Sequence, residues 1–158
     1  MTLEKSLLDK VDRDIIDLLR QDARLSYREL GEKVFLSANT VAERVRRLVQ
    51  NQVLQGFSAK VDLVALGLPL QALVDVKMAR ETTAARFEEA IAAIPGIQEA
   101  TLMTGSYDYM LRVACRDQAD LVRLIEALRD RAGVQDTTSR VILRQVDVHA
   151  QRQVAQGS

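Results

Sequence analysis

The sequence predicts an α+β protein in two parts: three short helices with a small hairpin, then a strand-helix-strand-strand-helix-strand array. Three observations carry that expectation. Up to about residue 50, apolar side chains recur at helical spacing behind separate cap residues. From Leu70 onward the pattern changes to alternation, as in a half-buried strand. Between them the stretch Asp62–Pro69, with Gly67 and Pro69, is a change of texture and marks the boundary.

The first helix is expected over Asp9–Gln21, with Asp9 or Asp12 as cap and Val11, Ile15, Leu18 and Leu19 on one face. Ser26 followed by Glu29 fits a capping box for a second helix, in which Leu30 and Val34 lie one turn apart. Ser37 caps a third, where Val41, Val45, Leu48 and Val49 form one buried stripe. Val53–Val61 loses the helical period and reads as short extended segments broken at Gly56. Three helices and a small hairpin make a winged helix-turn-helix, expected over residues 1–61.

In the second part, Leu70, Ala72, Val74, Val76 and Met78 alternate along a strand. Thr82–Ile94 carries Phe87, Ala90, Ile91 and Ile94 at helical spacing and stops at Pro95-Gly96. Ile97–Thr104 and Tyr107–Cys115 read as strands hinged on Gly105-Ser106. Asp117 caps a helix with Leu121, Leu124, Ile125 and Leu128, ending at Gly133, and Val134–Val148 is a long last strand. That order is the ferredoxin-like split βαβ unit, expected over residues 62–148, with 149–158 as a loosely held tail. Its two helices can cover only one sheet face, so a second subunit is expected on the other.

Turning the third helix away from its apolar stripe exposes Asn39, Thr40, Glu43, Arg46, Arg47 and Gln50. Two short helices joined by a tight turn, the second presenting polar and arginine side chains, match a DNA-reading helix-turn-helix. Any helical hairpin has a polar outer face, so residues 26 to 50 alone leave that reading evenly balanced. DNA recognition needs cations for phosphates and short polar groups for base edges. Arg46 and Arg47, with Arg44 at the border, fit the first need; Ser37, Ala38 and Asn39 at the helix N-terminus fit the second. Asn39 suits adenine and Glu43 suits cytosine N4, although Glu43 also has Arg47 four residues on as a partner. Ser37 is equally well explained as a cap alone.

Charge is placed locally. The 158 residues carry 22 Lys/Arg and 22 Asp/Glu, a net charge of zero, which is not the balance of a basic nucleic-acid-binding domain. The expectation is therefore a modest basic patch, RVRRL, used in several copies. One cysteine, Cys115 in an apolar run, excludes an intrachain disulfide and a thiolate metal cluster. One histidine, His149, makes a histidine metal site or a Ser-His-Asp arrangement improbable, and no cofactor motif is present. The first residues do not read as a signal peptide, and Leu63–Val74, interrupted by Gly67, Pro69 and Gln71, is too short to span a bilayer. The expectation is a cytoplasmic protein with no membrane partner.

Over nearly its whole length the chain resembles the Lrp/AsnC, or feast/famine, family of transcriptional regulators. The resemblance rests on LLDKVDRDIIDLLRQDARLSYREL at the start, LSANTVAERVRRL as recognition helix, LQGFSAKVDLVALG as wing and linker, MTGSYDYMLRV as hairpin and GVQDTTSRVIL as last strand. It implies a non-enzymatic regulator with an ACT-like ferredoxin-fold (RAM) domain, which binds duplex DNA as a homodimer or a larger assembly such as an octamer. It also implies an amino-acid effector at the hairpin loop, in a cleft between subunits. The residues implicated are Thr104, Gly105, Ser106, Tyr107 and Asp108, with Ser139 from the last strand. Their chemistry suits that ligand: backbone N–H groups beside Gly105 and the Ser106 hydroxyl for its carboxylate, and Asp108 for its ammonium. From the residues alone, a hairpin whose glycine only makes the turn is the simpler reading. The alternative to effector control is an effector-independent or architectural DNA-binding protein of the same fold. Small ferredoxin-like enzymes are a further class, but they need a histidine, metal or cofactor motif that this sequence lacks.

Three positions depart from the family pattern. Phe35, between the two DNA-binding helices, and Gln52, past the recognition helix, stand where relatives usually have glycine; Ser139 stands where many have threonine. If the first turn needs positive φ, Phe35 carries strain; past the recognition helix, Asn51 is expected to take the left-handed position in place of Gln52.

Overall fold

A computed structural model describes residues 8–146. The chain divides into two compact units, residues 1–60 and 61–158. The tail expected over 149–158, His149 and the last residues of the long final strand lie outside the described residues.

Unit one holds α1 (Lys10–Gln21), α2 (Tyr27–Val34) and α3 (Ala38–Gln50). Each starts where its cap predicts. Asp9 and Ser26 form reciprocal capping boxes with Asp12 and Glu29, while Ser37 accepts from the Thr40 N–H. Ile15, Leu19, Leu30, Val41, Val45 and Leu48 are the core. Val49, expected with them, is 39% exposed. At 100° per residue it lies about 80° around the helix from Val41, at the edge of the stripe rather than its centre.

Asp12 is the exception within this core, a carboxylate only 2% exposed. It sits three residues before Ile15 on the buried face of α1 and meets α3. Arg44 Nη1 donates to its Oδ1 at 2.8 Å, and Arg47 Nη2 donates to both oxygens at 3.1 and 3.3 Å. Arg44 Nη1 also donates to Asp9 at 2.6 Å. Two acids of one helix thus hold two cations of another, and the burial of Asp12 is tolerated because its oxygens are fully partnered.

The turns that end α2 and α3 take left-handed residues without glycine. Phe35 has φ 58° and ψ 43°, so the strain expected of a positive-φ phenylalanine is present. The Leu36 N–H closes onto the Gly31 carbonyl at 2.9 Å. This approach is possible because Gly31 has no Cβ, which would lie 2.4 Å from the Leu36 carbonyl oxygen. At the end of α3 the expectation fails. Asn51 stays at φ −83°, and Gln52 itself takes φ 57°. The Val53 N–H bonds to the Leu48 carbonyl at 2.9 Å and the Gln52 N–H to Val49 at 3.0 Å, the Schellman pattern, which places the left-handed residue at Gln52.

The hairpin expected over Val53–Val61 is not paired: none of these residues enters a strand. The Val53 and Leu54 N–H groups both bond to the Leu48 carbonyl, so the segment spends its first donors on closing α3. Two short strands without a sheet to join are marginal in any case.

Unit two contains β1 (Leu70–Met78), α4 (Ala84–Ala92), β2 (Ile97–Leu102), β3 (Tyr109–Cys115), α5 (Gln118–Ala132) and β4 (Val134–Val141). The sheet order is β2-β3-β1-β4 with antiparallel neighbours throughout, the ferredoxin-like arrangement. Ala72, Val74 and Val76 of β1 and Leu111 and Val113 of β3 pack against Phe87 and Ile91 of α4 and Leu121, Leu124 and Leu128 of α5. Tyr109 is buried with its ring 4.6 Å from that of Phe87, and its hydroxyl donates to Glu88 at 2.6 Å. That bond, burial and the Glu88 charge push its phenol up to about 12. Cys115 is buried as expected, and burial pushes its thiol up. β4 is shorter than the expected run to Val148, and the strands at the loop end at Leu102 and begin at Tyr109, which lengthens the connection around Gly105. The sheet face away from the helices carries Asp75, Lys77, Met110, Arg112, Thr138 and Arg140, with Arg140 paired to Asp75 at 2.8 Å.

The Asp12 cluster yields a direct expectation. Removing the acid of a buried ion pair leaves its cations uncompensated, at a cost of about 3–5 kcal/mol. Because the Arg47 side chain is 49% exposed and can return to water, Asp12→Ala should fall near the lower end, about 3 kcal/mol by chemical denaturation. A loss below about 1 kcal/mol would mean that the cluster behaves as a screened surface pair.

Candidate functional site

The outward surface of α3 begins at its cap. The Ser37 Oγ accepts the Thr40 N–H at 3.2 Å and shares a 2.8 Å bond with the Thr40 hydroxyl, so both side chains are fixed at the first turn. Ser37, Ala38, Asn39 and Thr40 are all exposed. Among the described residues the Asn39 carboxamide has no hydrogen-bond partner, which leaves a donor and an acceptor facing solvent.

The cations are arranged differently from the linear reading. Arg44, expected at the border of the outward face, is only 23% exposed and is committed to Asp9 and Asp12. Arg47 is exposed along half its length but turns its guanidinium to Asp12. Arg46 points outward and pairs with Glu43 one turn back, in place of the Glu43–Arg47 pair expected from spacing. The RVRR segment is therefore largely neutralised from within, and Arg46 is its outward guanidinium not tied to α1. Linear reading missed Asp12 as the agent of this. The signal was available: an acid in register with the Ile15–Leu19 stripe, in a unit with two arginines three residues apart.

In unit two the residues expected at the loop are brought together by the β2–β3 connection. Gly105 has φ 126°, and a Cβ there would meet nothing within 4 Å, so the loop is open on that side. The loop is held at its far end. The Met103 N–H bonds to the Asp108 carbonyl at 2.9 Å and the Asp108 N–H to Val76 at 2.8 Å. The Asp108 carboxylate, expected to be available to a ligand, already accepts the Met78 N–H at 2.8 Å and the Lys77 ammonium at 3.1 Å. Those two contacts, the backbone one foremost, hold its carboxyl below the ordinary 3.8. The Tyr107 hydroxyl is 2.7 Å from that of Thr138 on β4, the residue before Ser139. Ser139 itself is exposed but pairs with Val74 of the helix-packed core, so its side chain projects from the opposite sheet face to Thr138 and is not brought to the Tyr107 contact. Thr104 and Ser106 lie exposed on the loop.

Comparison with known proteins gives two domain matches. Residues 8–49 match the AsnC-type helix-turn-helix domain and residues 71–151 the Lrp/AsnC ligand binding domain. The chain is 38% identical over 133 residues to the Bkd operon transcriptional regulator of Pseudomonas aeruginosa, covering 80% of this chain and 87% of that one. Among solved structures it is similar to LrpC of Bacillus subtilis, with TM-score 0.81, 32% identity, and coverage of 89% of this chain and 98% of that one. It is likewise similar to a feast or famine regulatory protein from Mycobacterium tuberculosis complexed with L-methionine, with TM-score 0.83, 29% identity, and coverage of 89% and 95%.

The state of Asp108 predicts a pH effect. A carboxyl held below its unfolded value adds stability that is present in full above that value, near 3.8, and is lost as pH falls through the folded value. The difference in melting temperature between the wild type and Asp108→Asn should therefore be constant near neutrality and shrink as pH drops below about 4. A difference that does not change down to about pH 2 would show that the carboxylate charge is not what anchors the loop.

Proposed function

Since the chain belongs to the Lrp/AsnC family of transcriptional regulators, we propose that it reads specific duplex DNA sequences and that its assembly or DNA affinity responds to a free amino acid. The observation that carries the DNA reading is the first turn of α3, exposed, polar and rigidly capped, with its helix fixed through Asp12. Asn39 addresses a base edge, adenine being the best match, while Ser37, Ala38 and Thr40 line the same entry. Arg46 contacts phosphate, and Glu43 either orients Arg46 or accepts from cytosine. Arg47 is shared between Asp12 and the DNA backbone. Arg44 leaves the contact set and becomes a residue that positions α3.

The effector reading is supported by the open loop at Gly105 and by the M. tuberculosis relative complexed with L-methionine. In it the ligand carboxylate meets the backbone around Gly105 and the Ser106 hydroxyl. The ammonium takes the lone pairs that Asp108 has left after Lys77 and Met78, with Thr104 and Tyr107 as the surrounding wall; Ser139, on the other sheet face, leaves the set. Because the loop is open in the single chain, a second subunit closes the cleft, and the uncovered sheet face is where the copies meet. One observation favours the effector-independent alternative: the Asp108 carboxylate is already engaged within its own domain.

Two experiments test these readings. Arg46→Ala should weaken binding to all duplexes alike and lower the salt slope by about one. Asn39→Ala should instead relax preference at one base pair, by about 1–3 kcal/mol. Unchanged affinity and salt slope in Arg46→Ala would show that the DNA face lies elsewhere. For the effector, calorimetry against the twenty amino acids, L-methionine included, should give binding that Gly105→Val abolishes, with a change in assembly mass by light scattering. A full-length protein that is monomeric, or that binds no amino acid at millimolar concentration, would leave the effector-independent regulator as the function.

A further inference from the structure

The turn between α2 and α3 contains a side chain that the fold does not use. Phe35 occupies φ 58°, a conformation unfavourable for any residue with a Cβ, and the residue is 92% exposed. Neither the local backbone nor the hydrophobic effect favours phenylalanine there, since glycine would relieve the first and a polar residue the second. Its position is what distinguishes it. Phe35 lies two residues before Ser37, so the two Cα atoms are at most about 7 Å apart, and its backbone adjoins the first turn of the recognition helix. The exposed residues flanking it along the chain, Glu32, Lys33, Ser37 and Ala38, are polar or small. A single ring among such groups does not make the contiguous apolar patch that a protein partner requires. DNA offers a partner of the right size: in the major groove the one apolar feature of a base pair is the C5-methyl of thymine.

We infer that Phe35 is a DNA-contacting residue that seats its ring against a thymine methyl at the edge of the groove, next to the base pair addressed by Asn39. The inference rests on the DNA-binding reading above and adds to it an apolar determinant of sequence preference. The ring carries no charge and no hydrogen-bonding group, so it contributes discrimination between thymine and other bases without adding to the salt dependence.

The test uses the full-length protein and a duplex that it selects from a random-sequence pool. Each thymine in the selected site is replaced in turn by deoxyuridine, which removes only the methyl group, and affinity is read by fluorescence anisotropy. Wild type should lose about fourfold at one thymine per half-site, the ratio for one buried methyl group. Phe35→Gly and Phe35→Asn, both of which accommodate the left-handed turn, should bind the thymine and deoxyuridine duplexes equally at that position. They should keep wild-type loss at other positions and a melting temperature no lower than wild type. The inference is overturned if no deoxyuridine substitution affects the wild type, or if both variants keep the same loss at the same thymine. A fall in assembly mass in the variants, with DNA preference intact, would overturn it in favour of a second copy of the chain as the partner of the ring. If no duplex is selected at all, the DNA-binding reading falls, and this inference with it.

Discussion

The geometry of the DNA-binding unit depends on one buried carboxylate. Asp12 is 2% exposed and is reached by Arg44 and Arg47 from α3 and by the Asp9 N–H from its own helix. Apolar packing by Ile15, Leu30, Val41 and Leu48 brings the helices together, but such contacts are non-directional and tolerate rotation of α3 about its axis. Charge-assisted bonds do not: they fix which residues of α3 face inward and, by subtraction, which face out. The cost is that two of the three arginines in the segment are internally compensated.

The β2–β3 loop uses a similar device. Asp108 ties the end of the β2–β3 connection to the edge of β1 through the Met78 N–H and the Lys77 ammonium. Below it Tyr109 is held by Glu88 and packs at a tilt against Phe87, so the strand leaving the loop is anchored from its first residue. The tip at Gly105 is open while its base is fixed, as a recognition loop needs to be if it is to meet a ligand without reorganising.

Much of this was legible in the sequence because it is encoded locally. The caps at Asp9, Ser26, Ser37 and Asp117, the left-handed stop at Gly133 and the alternation along β1 each depend on a few neighbouring residues, and the structure has them where expected. What was not legible depends on contacts between distant residues. Asp12 reads as a cap until Arg44, 32 positions away, is folded onto it. Asp108 reads as a free acceptor until Met78 is brought 30 positions back to it. The expected hairpin after α3 failed for a related reason: its first N–H groups are taken by the Leu48 carbonyl, a competition that hydrophobic pattern does not register. The left-handed residue at Gln52 rather than Asn51 follows from the same capping bonds.

The compensation of Arg44 and Arg47 has a consequence for regulation. Affinity for DNA grows with the number of phosphates neutralised, and in a chain of net charge zero α3 offers one outward arginine that is not tied to α1. On the proposed reading, tight binding comes from several copies acting on one DNA molecule, each raising the effective concentration of the next. In that regime the spacing of the DNA-binding units matters as much as their contacts, because linked sites gain only when geometry lets both engage. A ligand that favours one arrangement of copies over another therefore changes DNA affinity by its differential affinity for the arrangements, without touching α3 at all. In the proposed function, a modest contact surface on each copy makes assembly the lever on DNA affinity.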